Sequence, residues 1–104
     1  MSSTPPIKRI AIFGSTGSIG TQTLEVIADN PSMFSAEVLT AHNNDTLLIE
    51  QALKLNPNIV VIGDDKKYTA VKDALASTDI KVFAGEKALE EVAAMDCYDL
   101  MLAA

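Results

Sequence analysis

The 104-residue sequence has no tryptophan, one cysteine and one histidine. Each scarcity removes a class of chemistry. With Cys97 alone, no intrachain disulfide forms and no thiolate metal cluster can be built from this chain; its expected place is as a small buried hydrophobe near the start of a strand. His42 likewise has no visible second member for a metal site or a Ser-His-Asp triad. Positive charge is also short. Eight Lys and Arg stand against fourteen Asp and Glu, a formal charge of -6, and no basic run could follow a phosphate backbone. Nucleic acid is not an expected partner. Apolar stretches such as "NIVVIG" and "DLMLAA" fall far short of the ~20 residues that a membrane-spanning helix needs, so no membrane partner is expected either. "MSSTPPIKR" lacks the apolar segment of a secretory signal, and the expected compartment is the cytoplasm.

What is present is a folding composition: 48% hydrophobic and 21% charged residues, enough for one domain with a modest core. Residues 1–6, with two adjacent prolines, read as a flexible N-terminal arm. From residue 7 the pattern alternates. "IKRIAIFG" is a strand ending at Gly14, and "SIGTQTLEVIAD" is a helix with Ile19, Leu24, Ile27 and Ala28 near one face, stopped by Asn30-Pro31. "SAEVLTA" is a second strand, and Asn44 or Asp45 caps a helix carrying Leu48, Ile49, Ala52 and Leu53 up to Asn56-Pro57. "NIVVIGD" has the pattern of a strand covered on both faces. A third helix is expected from about Lys66 to Ala76, with Val71, Ala74 and Leu75 inward. A fourth strand "IKVFAG", a fourth helix "EKALEEVAAM" and a fifth strand "YDLMLAA" complete the series. Such βαβ repetition predicts an α/β, Rossmann-like, doubly wound and mostly parallel sheet with helices on both faces. The chain stops on an apolar strand pattern, so residues 7–104 are expected to be a domain truncated before a further one; a last strand covered by a partner subunit is the alternative.

Residues 14 to 20 read GSTGSIG, between the first strand and the first helix. There a glycine permits a sharp turn, a second lets a phosphate approach, and a third lets the helix pack close to the strand. Gly14, Gly17 and Gly20 can fill these roles. The free N–H groups and positive end of the helix point at the same place, and Ser15, Thr16 and Ser18 offer hydroxyl donors. The spacing GxxGxxG is weak alone, but it follows a strand and opens a helix within repeated βα units, the context that supports a bound nucleotide over a merely structural turn.

In dinucleotide-binding folds an Asp or Glu at the end of the second strand holds the ribose 2'-hydroxyl. Here that place reads Thr40, Ala41, His42, Asn43, Asn44. Without a carboxylate to repel a 2'-phosphate, and with His and Asn donors, NADP(H) is favoured over NAD, although no Lys or Arg stands there. Asp45 is expected to serve the loop and helix cap. "GDDKK" reads as a strand-to-helix loop with Asp64 or Asp65 as cap, its position also allowing it to edge the adenine site, and Glu86, Glu90 and Glu91 as a helix's solvated acids. No acid-base pair and no metal ligand set is assigned.

The run "IAIFGSTGSIGTQTLEVIADNPSMF" resembles the N-terminal segment of the 1-deoxy-D-xylulose 5-phosphate reductoisomerase family, and "VLTAHNN", "IEQALKLNPNIVVIGDD" and "LMLAA" continue the likeness. The resemblance implies the NADP-binding domain of an enzyme of non-mevalonate isoprenoid biosynthesis. That enzyme rearranges and reduces its sugar phosphate to 2-C-methyl-D-erythritol 4-phosphate with a divalent metal, Mg or Mn, as a homodimer. By the same resemblance Thr16, Gly17, Ser18 and Ile19 match the family's pyrophosphate-contacting turn, and Ala41, His42, Asn43 and Asn44 its loop around the 2'-phosphate. Many members have Gly-Lys-Asn where this chain has His42-Asn43-Asn44. The family's Asn-Lys-Glu segment, metal-binding acids and substrate phosphate site lie downstream of Ala104, so no catalytic residue is assigned and the fragment alone is expected to be inactive. The rival readings are the N-terminal domain of an aspartate-semialdehyde-dehydrogenase-like or dihydrodipicolinate-reductase-like enzyme, and a stand-alone nucleotide-sensing module.

Overall fold

A computed structural model describes residues 6–104; residues 1–5, most of the expected arm, lie outside the described residues. Strand and helix alternate throughout: β1 (Lys8–Phe13), α1 (Ser18–Asp29), β2 (Phe34–Ala41), α2 (Asp45–Leu55), β3 (Ile59–Ile62), α3 (Tyr68–Ala74), β4 (Lys81–Ala84), α4 (Glu86–Ala93) and β5 (Leu100–Ala103). The sheet order is β4-β3-β2-β1-β5 and every pairing is parallel. The chain therefore builds outward from β1 to β4 and then returns, so that β5 joins the other side of β1. The reversal lies between β1 and β5, where α/β sheets open a crevice at their carboxyl ends.

Side-chain alternation divides the core into two layers. Ile10, Ile12, Leu39, Val60 and Ile62 pack with Leu24 and Ile27 of α1, Leu48 and Ala52 of α2, and Val71 of α3. Ala11, Val38, Ile59 and Val61 face the other way, toward Val92, Ala88 and Leu89 of α4. Helices thus cover both faces, three against one. β3 is buried at every residue, as its unbroken apolar run requires; each such aliphatic side chain contributes roughly 1.5–3 kcal/mol of burial. In β2 the alternation skips. Ile10 pairs with Ala36 but Ala11 pairs with Val38, so Glu37 is bulged out, and Ala36 and Leu39 share a face although three residues apart.

Three local expectations are corrected. Ile19 is 63% exposed, because the inward side of α1 is taken by Gly20, Leu24 and Ile27. The third helix does not run unbroken from Lys66: a 3-10 turn at Asp65–Lys67 precedes α3, tightened where Asp64 Oδ1 accepts from Lys66 N at 3.0 Å. Ala74 is exposed, since Val71 and Leu75, four apart, occupy the buried side. Cys97 is half-buried against the α4 layer.

β5 is tied to β1 outside the sheet ladder by Asp99. Its carboxylate accepts from Arg9 N at 2.8 Å and from the Arg9 guanidinium at 3.3 and 3.4 Å, while Asp99 N donates to Arg9 O at 2.8 Å. The Arg9 backbone N–H, then its side chain, hold the Asp99 carboxyl below the usual carboxylate range. A depressed folded-state value contributes stability that is complete above the unfolded value of about 3.9 and is lost as pH falls through the folded one. Asp99→Asn should therefore lose less stability than the wild type between about pH 5 and about pH 2. Urea melts at a series of pH values check this, and parallel acid limbs would remove Asp99 from the account.

Candidate functional site

The turn after β1 is pinned on its inward side by residues distant in sequence. Gly14 N donates to both Thr40 O and Thr40 Oγ1 at 3.1 Å, and Ser15 N to Thr40 O at 2.8 Å. Gly14 has φ +87, and a Cβ there would lie 3.0 Å from Ala104 O at the end of β5, so both the turn and the neighbouring strand end demand glycine. Gly20 is demanded by packing: a Cβ would sit 2.8 Å from Ser15 Cα and press on Gly14 O. Ser15, expected as a hydroxyl donor to a ligand, instead turns inward with no exposure. Its Oγ donates to Gln51 Oε1 at 2.8 Å, and Gln51 Nε2 donates back to Ser15 O at 2.8 Å.

The outward side is different. Thr16 is half-buried, and Gly17, Ser18 and Ile19 are exposed. Gly17 is the N-cap of α1 at φ -76, ψ 174, and no side chain caps the helix. The first intrahelical bond runs from Thr21 N to Gly17 O at 2.8 Å, so the N–H groups of Ser18, Ile19 and Gly20 have no acceptor among the described residues. No acidic residue stands in this first turn, whereas α2 and α4 carry Asp45 and Glu86 in theirs. A Cβ on Gly17 would meet nothing nearer than Gly14 O at 3.6 Å. The fold itself tolerates a side chain there. An uncapped, acid-free helix start with a dispensable glycine beside it is a seat for an anion.

At the end of β2, Ala41 is buried and contributes its main chain: its carbonyl accepts from Gly63 N at 2.8 Å. His42, Asn43 and Asn44 are exposed. His42 lies over Gly63, whose Cβ would come 3.1 Å from His42 Nδ1. Asn44 Oδ1 accepts from Leu47 N at 3.2 Å as the cap of α2, so its acceptor is spent on the helix and its amide N–H groups are not used there. Asp45 is not the cap expected of it: Asn44 takes that place, and Asp45, the first residue of α2, pairs instead with Lys67 at 3.3 Å. His42 and Gly63 line an open crevice of about 510 Å³ with Asp64, Asp65, Lys66 and Glu86. Among the described residues no group of three or more His, Cys, Asp or Glu comes together to hold a metal. Among the described residues no helix is long and apolar enough to cross a membrane.

Residue-by-residue reading misses Gln51, and it places Thr40 at the end of β2 without its bonds to Gly14 and Ser15. Gln51 carries a legible signal, a polar residue at an inward position of α2 between Leu48 and Ala52; Lys66, in the GDDKK loop, lines the same crevice as His42.

The sequence profile of the family described as 1-deoxy-D-xylulose 5-phosphate reductoisomerase matches residues 10–104. Relatives bearing that name include one from Phocaeicola vulgatus, 47% identical over 96 residues, and one from Porphyromonas gingivalis, 48% identical over 97. The matches cover 92% and 93% of this chain and 25% of each relative. This chain thus spans about a quarter of the length of the curated relatives it matches. Among solved structures, the Zymomonas mobilis reductoisomerase in complex with NADPH superposes with a TM-score of 0.86 at 35% identity, covering 92% of this chain and 25% of that one. A reductoisomerase in complex with NADPH, fosmidomycin and magnesium gives 0.84 at 26%, covering 91% and 24%. The chain belongs to the 1-deoxy-D-xylulose 5-phosphate reductoisomerase family.

Proposed function

We propose that this chain is the NADP(H)-binding part of a reductoisomerase that converts 1-deoxy-D-xylulose 5-phosphate to 2-C-methyl-D-erythritol 4-phosphate. The observation that carries the proposal is the first turn of α1, with three N–H groups lacking acceptors among the described residues, beside a glycine whose missing side chain the fold does not require. In this reading Gly14 and Gly20 shape the turn, and the N–H groups of Ser18, Ile19 and Gly20 with the Thr16 and Ser18 hydroxyls hold the pyrophosphate. His42, Asn43 and Asn44 surround the ribose 2'-phosphate, with donors and no carboxylate at the end of β2. When bound, the dinucleotide supplies the hydride for reduction. The chain's own contribution is to grip and orient it at the β1/β5 reversal.

Family membership and the NADPH-bound relatives support the reading. Residues 7–104 are the cofactor domain in it, and turnover draws on segments of the longer polypeptide outside these 104 residues. Divalent-metal dependence, homodimeric assembly and a cytoplasmic location go with the same reading of the whole protein. Calorimetric titration with NADPH, NADH and ATP tests the cofactor assignment. NADPH should bind at least about tenfold tighter than NADH, equivalent to about 1.4 kcal/mol, with ATP weaker than NADPH. Equal affinity for the two nicotinamide nucleotides would remove NADP specificity, and no binding of any of them would remove the site.

A further inference from the structure

We infer that Gln51 is a positioning residue for the dinucleotide, acting through Ser15; the inference rests on the reading of the glycine turn as the pyrophosphate seat. Gln51 is 8% exposed, and lies on α2 between the core residues Leu48 and Ala52. An amide so placed is costly unless both its ends are bonded. Both are, and to one residue 36 positions earlier: Oε1 accepts from Ser15 Oγ, Nε2 donates to Ser15 O, each at 2.8 Å. Chemistry allows one orientation only, because the Ser15 carbonyl can accept but never donate. The ring locks the Ser15 carbonyl, and with it the peptide plane that leads into Thr16 and Gly17. Thr40 holds the amide side of the same residue.

The consequence reaches both ends of the candidate site. α2 begins at the Asn44 cap, directly after His42 and Asn43, and two turns later delivers Gln51 to the glycine turn. One rigid helix thus sets where the ribose loop stands relative to the N–H groups of Ser18, Ile19 and Gly20. A ligand that spans the two needs that separation prepared in advance, since ordering it on binding subtracts from affinity. An apolar side chain at 51 would extend the Leu48 and Ala52 surface; the amide is needed by the turn.

The test uses the 104-residue chain and calorimetric titration of NADP⁺, ADP and 2'-AMP, the last having no pyrophosphate. Gln51→Met should weaken NADP⁺ and ADP by about tenfold or more, in line with the cost of a misplaced binding group, and change 2'-AMP by less than about twofold. Gln51→Glu supplies a pH signature. As a carboxylate it turns two acceptors toward the Ser15 carbonyl and hydroxyl; protonated, it donates to the carbonyl and accepts from the hydroxyl as glutamine does. Its NADP⁺ affinity, relative to wild type at each pH, should rise about fivefold or more between about pH 8 and about pH 5.5, since burial favours the neutral acid. Should Gln51→Met not fold, the Gln51→Glu profile decides. Unchanged affinities in a folded Gln51→Met, equal losses for 2'-AMP, or a Gln51→Glu profile parallel to wild type overturn the inference. Failure of the wild type to bind NADP⁺ and ADP overturns the reading of the turn as well, whereas normal wild-type binding with indifferent variants overturns the inference alone.

Discussion

Replacing Gly20 by alanine should lower the melting temperature of this chain by roughly 12–24 °C, the shift that about 3 kcal/mol produces in a domain of this size. Helix propensity argues the other way, because alanine is the better helix former by about 1 kcal/mol. Steric contact decides. The new Cβ would stand 2.8 Å from Ser15 Cα and 2.9 Å from the Ser15 carbonyl carbon, and these are backbone atoms. They have nowhere to go, since Thr40 grips Ser15 N from one side and Gln51 grips Ser15 O from the other. α1 must therefore lift off β1, uncovering Leu24 and Ile27, which are 5% and 3% exposed. Thermal melts followed by circular dichroism measure the shift, and a variant as stable as the parent would show that the close approach of α1 to the turn is not needed.

Gly17→Val should behave in the opposite sense, with the fold kept and ligand binding lost. The backbone at Gly17, φ -76 and ψ 174, is extended and open to any L residue. Its Cβ would make only an ordinary contact, 3.6 Å to Gly14 O. Valine is a poor N-cap, but glycine was giving no side-chain bond there, so the stability change should stay within about 1 kcal/mol. A branched side chain in front of the free N–H groups of Ser18, Ile19 and Gly20 excludes a phosphate from hydrogen-bonding distance. The expected loss of NADPH affinity is about 100-fold or more, equivalent to about 2.7 kcal/mol. Calorimetry on the variant checks it, alongside a melt to show that it is folded. Unchanged affinity would move the cofactor away from the glycine turn. The two variants together separate the glycine that builds the turn from the glycine that leaves room on it.

Much of this was legible in the residues. β-branched runs such as IVVI mark strands, and apolar spacing marks helices, because both depend on neighbours within a few positions. Asn44 could be read as a cap for the same reason: its partner, Leu47 N, is three residues away. At Ile19, Ala74 and the divided third helix a short periodicity points to a face, but neighbouring elements decide which side is covered. The inward turn of Ser15 could not be read, since its partner is 36 residues distant and its hydroxyl looks like any other in GSTGSIG.

Sequence alone determined the alternation of strands and helices, the glycine turn between β1 and α1, and the absence of a carboxylate at the end of β2. Each is written in local periodicity, glycine conformational freedom or side-chain charge. Tertiary structure decided the strand order that puts Gly14 beside Ala104, the bulge at Glu37, the Ser15–Gln51 ring, and the contrast between Gly20 and Gly17. The reason is physical: whether an atom has room, or a buried hydroxyl a partner, depends on groups that only folding brings within a few ångströms.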